Sequence, residues 1–385
     1  MRNVGVITTS RADYGIYFPI LKRIAAHPQL RLMLFVTGAH LSAKFGRTIR
    51  FIQKDGFRTT ARVPISLESD SPSAIARAMG ECTRGFGKVF EKFHPGILLV
   101  LGDRYEMHAA ALAAGPFNIP LAHLHGGELT YGAMDENFRH SLTKLSHLHF
   151  AATREYARRI IQMGEEPWRV RVTGAPGLDN VMSVPPYLRR DLTQLFGVDE
   201  HQPIMLVTFH PVTLEESHTA QSIRSLLGAL NQFKEYQIIF TGPNADPDGN
   251  LIREEIHKFC AHNPQAKLVT NFGTRGYLSL LRHSEVMVGN SSSGIIEAAS
   301  FQLPVVNIGT RQQGRIRGAN VIDVGYGRDE IVDGIKRALS TALKRSLNGL
   351  VNPYGNGRAS QKVVQTLATI RLEKLIPKKF YEKKN

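Results

Sequence analysis

Short runs of Val, Ile and Leu that alternate with helix-like segments are the strongest constraint on the fold of this chain. Most of these runs end in Gly, Ser, Thr, Asp or His. The first half contains the runs 4–10, 30–38, 96–103, 120–126 and 148–153, and the second half contains 203–211, 236–244, 267–272, 286–291 and 305–309. Nearly continuous apolar strands followed by helices are typical of parallel sheets that are covered on both faces. Two such series predict an α/β protein with two doubly wound, Rossmann-like domains.

A segment rich in Gly and Pro, residues 174–191, marks the predicted break between the domains. We expect an N-terminal domain over residues 1–175 and a C-terminal domain over residues 176–357. Residues 358–385 are expected to form a last helix and a basic tail that pack back on the N-terminal domain. Ligands of open α/β sheets bind beyond the carboxyl ends of the strands, so the cleft between the two domains is the expected site.

The composition is that of a folded protein without a membrane-spanning segment. Hydrophobic residues make up 42% of the 385 residues and charged residues 21%, which is typical of globular domains. No apolar stretch approaches the ~18 residues that a membrane span needs. The two cysteines, Cys82 and Cys260, lie far apart and outside any Cys/His ligand spacing. We therefore expect no disulfide and no metal site, and a reducing cytoplasm as the location.

The net charge of +15 raises the question of acidic partners. Proteins that bind nucleic acid usually gather Lys and Arg on one element, whereas the basic residues here are spread along the chain, apart from the run 378–385. We expect that run to be a solvated tail, with binding of nucleic acid or of an anionic membrane as the alternative. Small phosphorylated substrates would also suit a basic protein.

Polar residues follow two of the predicted strands of the first half. The turn after the first strand offers Arg11, whose guanidinium could hold a phosphate; the alternative is a capped helix start with Arg11 paired to a nearby acid. Asp103 and Arg104 directly follow another strand. A desolvated carboxylate there suits a general acid or base, although Asp103 could instead cap the helix that begins near Tyr105.

The segment 120–141 carries the densest set of polar residues. His123 and His125 share one face of the strand, so one of them could belong to the core. The two glycines that follow, Gly126 and Gly127, allow a positive φ or a close approach of the backbone to a ligand.

The same segment continues with Glu128 and then with Asp135 and Arg139. The last two are four residues apart on a helix and could form a simple ion pair. These three residues and His125 put four ionisable groups within fifteen residues at one strand end. This density favours a functional role over a structural one.

The second half shows a pattern suited to an anion. His210, in the segment 208–213, could be a core histidine or a cation that reaches a phosphate. The sequence Gly-Asn-Ser-Ser-Ser-Gly at 289–294 opens a helix whose free N–H groups attract negative charge, or else serves as an N-cap. Hydroxyl, carboxylate and guanidinium groups follow in Ser291, Ser292, Glu297 and Arg311. Neither a Walker loop nor a GxGxxG occurs, so a dinucleotide cofactor is not expected.

Together these segments resemble the hydrolysing UDP-N-acetylglucosamine 2-epimerases of the bacterial sialic acid pathway. The matching motifs occur in order over most of the chain as SRADYG, VTGAH, GDRYE, HGGE, DENFRHSLTKLSHLHF, FHPVT, GNSSSG, NIGTRQQGR and VIDV. The resemblance implies the two-domain fold of glycosyltransferase-B type, a UDP-sugar substrate, no cofactor and no metal. It is consistent with a homo-oligomer, dimeric or tetrameric.

The family reaction is an anti-elimination of UDP with loss of the C2 proton, followed by addition of water to the 2-acetamidoglucal to give N-acetylmannosamine. Carried over by motif, the catalytic candidates are Asp103, His125, Glu128, Asp135, Arg139 and His40. The candidates for binding UDP are Arg11, Arg104, His210, Ser291, Ser292, Glu297 and Arg311, with Glu297 on a ribose hydroxyl.

One position departs from the family pattern. Some members carry a glutamate where this chain has His125, which leaves the identity of the C2 base open. Non-hydrolysing relatives tend to have Glu-Ala-Gly-Leu-Arg after this strand, so the Gly-Gly-Glu found here favours the hydrolysing branch.

We expect UDP-N-acetylglucosamine as the substrate, and several alternatives stay open. The same reaction could act on UDP-N,N'-diacetylbacillosamine, which feeds legionaminic acid. A glycosyltransferase of the same fold would need an acceptor site that the sequence does not reveal. A non-catalytic nucleotide-sugar sensor or a nucleic-acid binder would explain the basic charge but leave the acidic cluster unexplained.

Overall fold

A computed structural model describes residues 1–69, 71–131, 134–212, 219–242 and 249–382. Thr213 of the segment 208–213, the end of the run 236–244 and the last three residues of the tail therefore lie outside the described residues. The chain divides into two compact units. Unit 1 contains Met1–Glu128, Met134–Asp179 and the chain from Tyr354 onward, and unit 2 contains Asn180–Pro353 with the short segment that begins at Leu129.

Unit 1 is built on a seven-stranded parallel sheet of order β3-β2-β1-β4-β5-β6-β7. Its strands are β1 (Arg2–Thr8), β2 (Leu30–Thr37), β3 (Thr59–Val63), β4 (Ile97–Leu101), β5 (Leu121–Leu124), β6 (Leu148–Ala151) and β7 (Val170–Val172). Its helices are α1 (Arg11–Ala26), α2 (Ile49–Lys54), α3 (Pro72–Lys92), α4 (Tyr105–Ala114), α5 (Asp135–Leu145), α6 (Arg154–Gln162) and α15 (Ala359–Thr369), and α7 (Gly177–Ser183) runs across the boundary of the two units.

Unit 2 has a six-stranded parallel sheet of order β10-β9-β8-β11-β12-β13. Its strands are β8 (Ile204–Thr208), β9 (Gln237–Thr241), β10 (Ala266–Val269), β11 (Ser284–Gly289), β12 (Val305–Ile308) and β13 (Val321–Val324). Its helices are α8 (Arg189–Phe196), α9 (Thr219–Leu230), α10 (Gly249–His262), α11 (Gly273–His283), α12 (Ser292–Ile296), α13 (Arg328–Leu339) and α14 (Thr341–Ser346).

The apolar runs form strands because both faces of each sheet are covered. Every residue of β4 and β8 is buried, as expected for the central strands of a parallel sheet between helices. In unit 2 the residues on the two faces of the sheet belong to two separate hydrophobic clusters. The prediction of two doubly wound α/β domains is confirmed.

The order of the strands defines one special position in each sheet. Across the sheet of unit 1 the strand numbers fall to β1 and then rise from β4, and in unit 2 they fall to β8 and then rise from β11. Ligands of open α/β sheets bind at such switch points, outside the carboxyl ends of the strands. The segments that follow these four strands are therefore the places where functional side chains are expected.

The C-terminal segment is hydrogen-bonded to unit 1 at Lys378 and Tyr381, whereas Lys379 and Phe380 between them are exposed, as expected for a solvated tail. Lys378 Nζ donates to the Ser146 carbonyl (2.9 Å) and to Glu165 Oε1 (3.0 Å). The Tyr381 N–H donates to the Gly164 carbonyl (2.9 Å). The charge of the run predicts solvation, but a lysine can be half-buried, as Lys378 is, when carbonyls and a carboxylate accept its hydrogen bonds.

The helix α15 packs on α1, and its first turn is held by Asp179. The carboxylate of Asp179 accepts the N–H groups of Ala359 (2.9 Å) and Ser360 (2.8 Å), which the helix itself leaves without an acceptor. In the part of the chain that the structure describes, no helix has the length and apolar character needed to cross a membrane.

Candidate functional site

The loop after β5 turns sharply at His125, which has a φ of +61°. This left-handed conformation is uncommon for a residue with a side chain. Gly127 follows with a φ of +75°, and a Cβ there would lie 2.5 Å from the Tyr156 carbonyl oxygen. Gly127 is thus required by packing against α6.

His125 and Glu128 form a buried pair within this loop. His125 Nδ1 lies 2.6 Å from Glu128 Oε1, and the two residues are 8% and 1% exposed. His125 Nε2 is buried and has no hydrogen-bond partner among the described residues. A histidine held at one ring nitrogen, with the other unengaged, has the arrangement of a proton-transfer group.

Arg139 connects this loop to the end of β4. Its Nη1 donates to the His125 carbonyl (3.0 Å) and its Nη2 donates to the Asp103 carboxylate. The N-cap of α4 is Arg104, which makes no side-chain capping bond. Asp103 therefore pairs with Arg139 across the sheet rather than capping the next helix.

Four carboxylates act on the charge of the Arg139 guanidinium. Burial alone would lower the pKa of Arg139, but the charges of Asp103, Glu128, Glu136 and Asp135 raise it instead. Asp135 is the first residue of α5, so its charge belongs to the same cluster. The structure thus brings together the acidic candidates, His125 and one arginine at the ends of β4 and β5.

His123, on β5, is the core histidine of this segment. Its Nε2 is 2.8 Å from the Gly102 carbonyl and its Nδ1 is 3.3 Å from Thr143 Oγ1. Burial lowers the pKa of His123 to about 3, so the ring is neutral near pH 7. It holds the backbone directly before Asp103.

His40 lies in a separate buried cluster at the end of β1. Its two ring nitrogens lie 3.0 Å from Thr8 Oγ1 and 2.8 Å from Thr48 Oγ1. Asp13 accepts the Thr8 hydroxyl (2.6 Å) and the Thr9 N–H (2.8 Å). Burial alone would raise the pKa of Asp13, but bonds from His40, Thr8 and Thr9 outweigh burial and lower it. The structure does not join His40 to Asp103 or His125, and its catalytic role stays a prediction.

Two arginine candidates flank this cluster. Arg11 is the exposed first residue of α1, whose N-cap Ser10 and third residue Asp13 form a capping box. Arg104 makes two bonds to buried Glu106, from Nε (3.1 Å) and Nη2 (2.9 Å), while 44% of its side chain is exposed. Such a bidentate pair fixes the plane of the guanidinium and leaves N–H groups for another acceptor.

In unit 2, Asn290 ties together the segments that follow β8 and β11. Its side chain accepts the His210 N–H (2.7 Å) and donates to the His210 carbonyl (2.8 Å). Its own carbonyl accepts from Gln312 Nε2 (2.8 Å) and Arg311 Nη1 (3.3 Å). The preceding residue must be glycine, because a Cβ on Gly289 would lie 1.9 Å from the Thr208 carbonyl oxygen.

His210 is neutral in this arrangement. Burial and the charge of Arg311 lower the pKa of His210 to about 3. Of the two alternatives for His210, the lowered pKa favours a neutral buried histidine over a cation in the ligand-free protein near pH 7. A neutral imidazole can still donate one N–H, and an anion nearby would favour its protonation.

The remaining candidates of unit 2 lie at the start and end of the short helix α12. Ser291 is its N-cap and accepts the Ser293 N–H (3.3 Å), so the N-cap reading of this segment holds. Ser292 is the first helical residue and Glu297 the C-cap. With Arg311, these groups and His210 surround the switch point of the sheet.

Several residues in these clusters carried no signal in the sequence. Asn290, Gln312 and Asp13 act by holding backbone or hydroxyl groups, and Arg159 on α6 donates to the Gly127 carbonyl. Asp13 acts within its own turn, whereas Asn290, Gln312 and Arg159 act on segments more than twenty residues away. In the described ranges, no group of three or more His, Cys, Asp or Glu side chains is placed to hold a metal ion.

The sequence is similar to the sequences of two hydrolysing 2-epimerases. It is 41% identical over 377 residues, 98% of each chain, to a UDP-N,N'-diacetylbacillosamine 2-epimerase (hydrolyzing) of Legionella pneumophila. It is 36% identical over 383 residues, 99% of each chain, to a GDP/UDP-N,N'-diacetylbacillosamine 2-epimerase (hydrolyzing) of Campylobacter jejuni.

The fold has a counterpart among solved structures. The crystal structure of a UDP-GlcNAc 2-epimerase from Neisseria meningitidis, bound to UDP-GlcNAc, superposes with a TM-score of 0.83 at 20% identity and covers 95% of this chain and 99% of its own. The family model for UDP-N-acetylglucosamine 2-epimerase matches residues 22–368. Since that match spans most of both units, this chain is an enzyme of the UDP-N-acetylglucosamine 2-epimerase family.

Proposed function

We propose that this enzyme converts UDP-N,N'-diacetylbacillosamine and water to UDP and the free C2 epimer, 2,4-diacetamido-2,4,6-trideoxymannose, a precursor of legionaminic acid. The identity of 41% over 98% of both chains with the Legionella pneumophila enzyme carries this proposal. The name of the Campylobacter jejuni relative includes the same sugar. The sequence motifs alone favoured UDP-N-acetylglucosamine, with UDP-N,N'-diacetylbacillosamine as the alternative, and the similarity to these relatives reverses that preference.

UDP-N-acetylglucosamine is the second candidate, favoured by the name of the family model. The two sugars differ at C4 and C6, whereas elimination and hydration take place at C1 and C2. The same acid/base groups therefore serve either substrate, and the choice rests on residues that contact the far side of the sugar.

We assign the proton transfers to the cluster of unit 1. Elimination needs a base for the weakly acidic C2–H, and hydration needs an acid. Asp103, Asp135 and His125 are the candidates, and Arg139 orders them because it bonds to the Asp103 carboxylate and the His125 carbonyl.

We assign the binding of UDP chiefly to the cluster of unit 2. A departing diphosphate needs fixed donors and positive charge. Arg311 and the N–H groups near Ser291 and Ser292 supply them, with His210 as a neutral donor and Glu297 as acceptor for a ribose hydroxyl. Arg11 and Arg104 are the proposed contributions of unit 1. A homo-oligomer in the cytoplasm stays a prediction.

A direct assay tests the proposal. The purified protein is incubated with each UDP-sugar in heavy water, without acceptor, and UDP and the sugar are followed by chromatography and NMR. We expect free 2-epimer with deuterium at C2 and a higher kcat/KM for UDP-N,N'-diacetylbacillosamine. A higher value for UDP-N-acetylglucosamine would reverse the substrate assignment. Accumulation of the UDP-linked epimer would contradict hydrolysis. If no UDP were released, the protein would be a glycosyltransferase or a non-catalytic sensor instead.

A further inference from the structure

One nitrogen of the His125 ring has a hydrogen-bond partner, and the other has none among the described residues. Nδ1 is 2.6 Å from Glu128 Oε1, and Nε2 is buried without a partner among the described residues. Buried polar atoms of folded proteins nearly always have a hydrogen-bond partner. An unengaged imidazole nitrogen beside a cluster of carboxylates therefore points to a group of the substrate as its missing partner.

The backbone is constrained so that this ring keeps its direction. A φ of +61° is a sparsely populated conformation for a residue with a side chain, and it persists where the surroundings impose it. The surroundings here are two arginines: Arg139 donates to the His125 carbonyl and Arg159 donates to the Gly127 carbonyl. Helices α5 and α6 thus clamp the loop on both sides of Gly126.

A carboxylate that accepts from Nδ1–H selects one tautomer of a neutral histidine and leaves the lone pair on Nε2. We infer that Glu128 is a positioning residue that keeps the lone pair of His125 on Nε2, and that Nε2 is the atom that takes the C2 proton. This inference rests on the proposed function and resolves which group is the base.

The step balances as follows. Nε2 takes the proton from C2, the C2–H electron pair becomes the C1–C2 double bond, and the C1–O bond breaks with its pair leaving on UDP. The imidazolium that forms is stabilised by the Glu128 carboxylate. In the second step water adds its hydroxyl to C1, a carboxylic acid gives a proton to C2 and takes the remaining proton of the water, and His125 returns its proton to solvent. Inversion requires that the proton given to C2 come from the opposite face, hence from another acid, for which Asp103 and Asp135 are available.

The pH dependence of this base is set by its surroundings. The titratable and charged groups facing the ring and its loop are Glu128, Arg139 on α5, Asp103 on the far side of Arg139, His123 on β5 and Arg159 on α6. Of these, the Glu128 carboxylate is in direct contact with the ring. Its removal takes away the negative charge that favours the imidazolium.

The test is the substitution Glu128→Gln. We expect kcat to fall by ~10²-fold or more, because the tautomer and the charge of the base are lost together. UDP affinity by calorimetry should stay within about twofold. The acidic limb of the kcat–pH profile should move to lower pH, a readout that a merely structural role would not change. The double substitution with His125→Asn should be no slower than His125→Asn alone, since Glu128 acts through His125.

Glu165→Gln is the matched control. Glu165 Oε2 is 3.1 Å from His149 Nε2, and both side chains are fully buried in the same unit. This variant should lower the melting temperature and leave the pH profile unchanged. Nitrogen NMR of labelled wild-type protein reads the tautomer directly, whether or not the Gln variant folds.

Three results would overturn the inference: normal turnover in Glu128→Gln, additive losses in the double variant, or a His125 that is protonated on Nε2. A wild-type protein that releases no UDP would instead overturn the proposed function.

Discussion

The polar residues at the strand ends use different chemistry in the two units, at β4 and β5 in unit 1 and at β8 and β11 in unit 2. In unit 1, the ends of β4 and β5 carry carboxylates that are neutralised internally, as Asp103 is by Arg139. In unit 2, the ends of β8 and β11 are joined by a neutral amide, Asn290, beside a neutral His210. The first arrangement holds ionised groups in fixed orientations, while the second fixes backbone dipoles and one guanidinium.

This difference separates two tasks that one reaction needs. Groups that move protons must be ionisable and held in place by partners that do not themselves titrate near pH 7, and an arginine meets that condition. A site that stabilises a leaving anion needs donors already oriented before the charge develops. We therefore expect substitutions in the cluster around Arg139 to affect turnover, and substitutions in the cluster around Asn290 to affect the binding of UDP.

The largest expected effect concerns Asp103 and Asp135. Asp→Asn at either position keeps the size of the side chain and removes proton transfer, so turnover should fall by ~10²–10⁴-fold while UDP still binds. Asp103→Asn should also lower the melting temperature, because buried Arg139 loses its charged partner. Rates and thermal melts are measured on the same samples. A melting shift with nearly normal turnover in both variants would show that these acids only support the fold.

A smaller effect is expected in unit 2 from Arg311→Ala. UDP binding should weaken by ~1.5–3 kcal/mol, the range for a hydrogen bond to a charged group. Calorimetry with UDP measures it, and Arg337→Ala, an exposed arginine at the end of α13, is the control that should bind normally. Unchanged affinity in a folded Arg311→Ala protein would remove Arg311 from the site and break the division of tasks.

The smallest effect is a pH dependence of stability shared by both units. Burial lowers the pKa of His123 in unit 1, and burial with Arg311 lowers that of His210 in unit 2, each to about 3. The unfolded chain, with an ordinary histidine pKa of ~6.5, binds more protons, so the stability present above that pH is lost as the pH falls. The slope is at most ~1.4 kcal/mol per pH unit for each histidine.

Urea unfolding at pH 7, 6 and 5 checks this dependence. His123→Asn and His210→Asn should each flatten the slope, and His201→Asn should not, since 88% of the His201 side chain is exposed. An unchanged slope in both variants would assign the acid sensitivity to other groups. Added UDP should raise the unfolding midpoint of wild type more than that of Arg311→Ala.

The strands could be predicted wherever both faces are buried. Each of the ten apolar runs overlaps a strand of the two sheets, because burial on both sides forces continuous Val, Ile and Leu. The strands β3, β7 and β13 were not predicted as strands from the apolar pattern. They lie at sheet edges, where a strand can be short or carry polar residues, as in the three-residue VRV of β7.

The candidate site could be predicted in its residues but not in its bonds. His125, Glu128 and Arg139 were visible because ionisable groups crowd one strand end. The packing of α5 and α6 on the sheet brings Arg139 to Asp103 and gives His125 its positive φ. No local sequence pattern encodes that packing. The contacts of Lys378 could not be predicted for the same reason, because its acceptors are on elements more than two hundred residues away.

The closure of unit 1 by its last segment bears on how the protein is made. Unit 1 needs α15 and the segment up to Tyr381, which leave the ribosome after every residue of unit 2. Domains generally fold as they emerge, the earlier ones first, yet here the unit that begins the chain is completed last. During synthesis, the surface of α1 that receives α15 stays uncovered until all of unit 2 has been made.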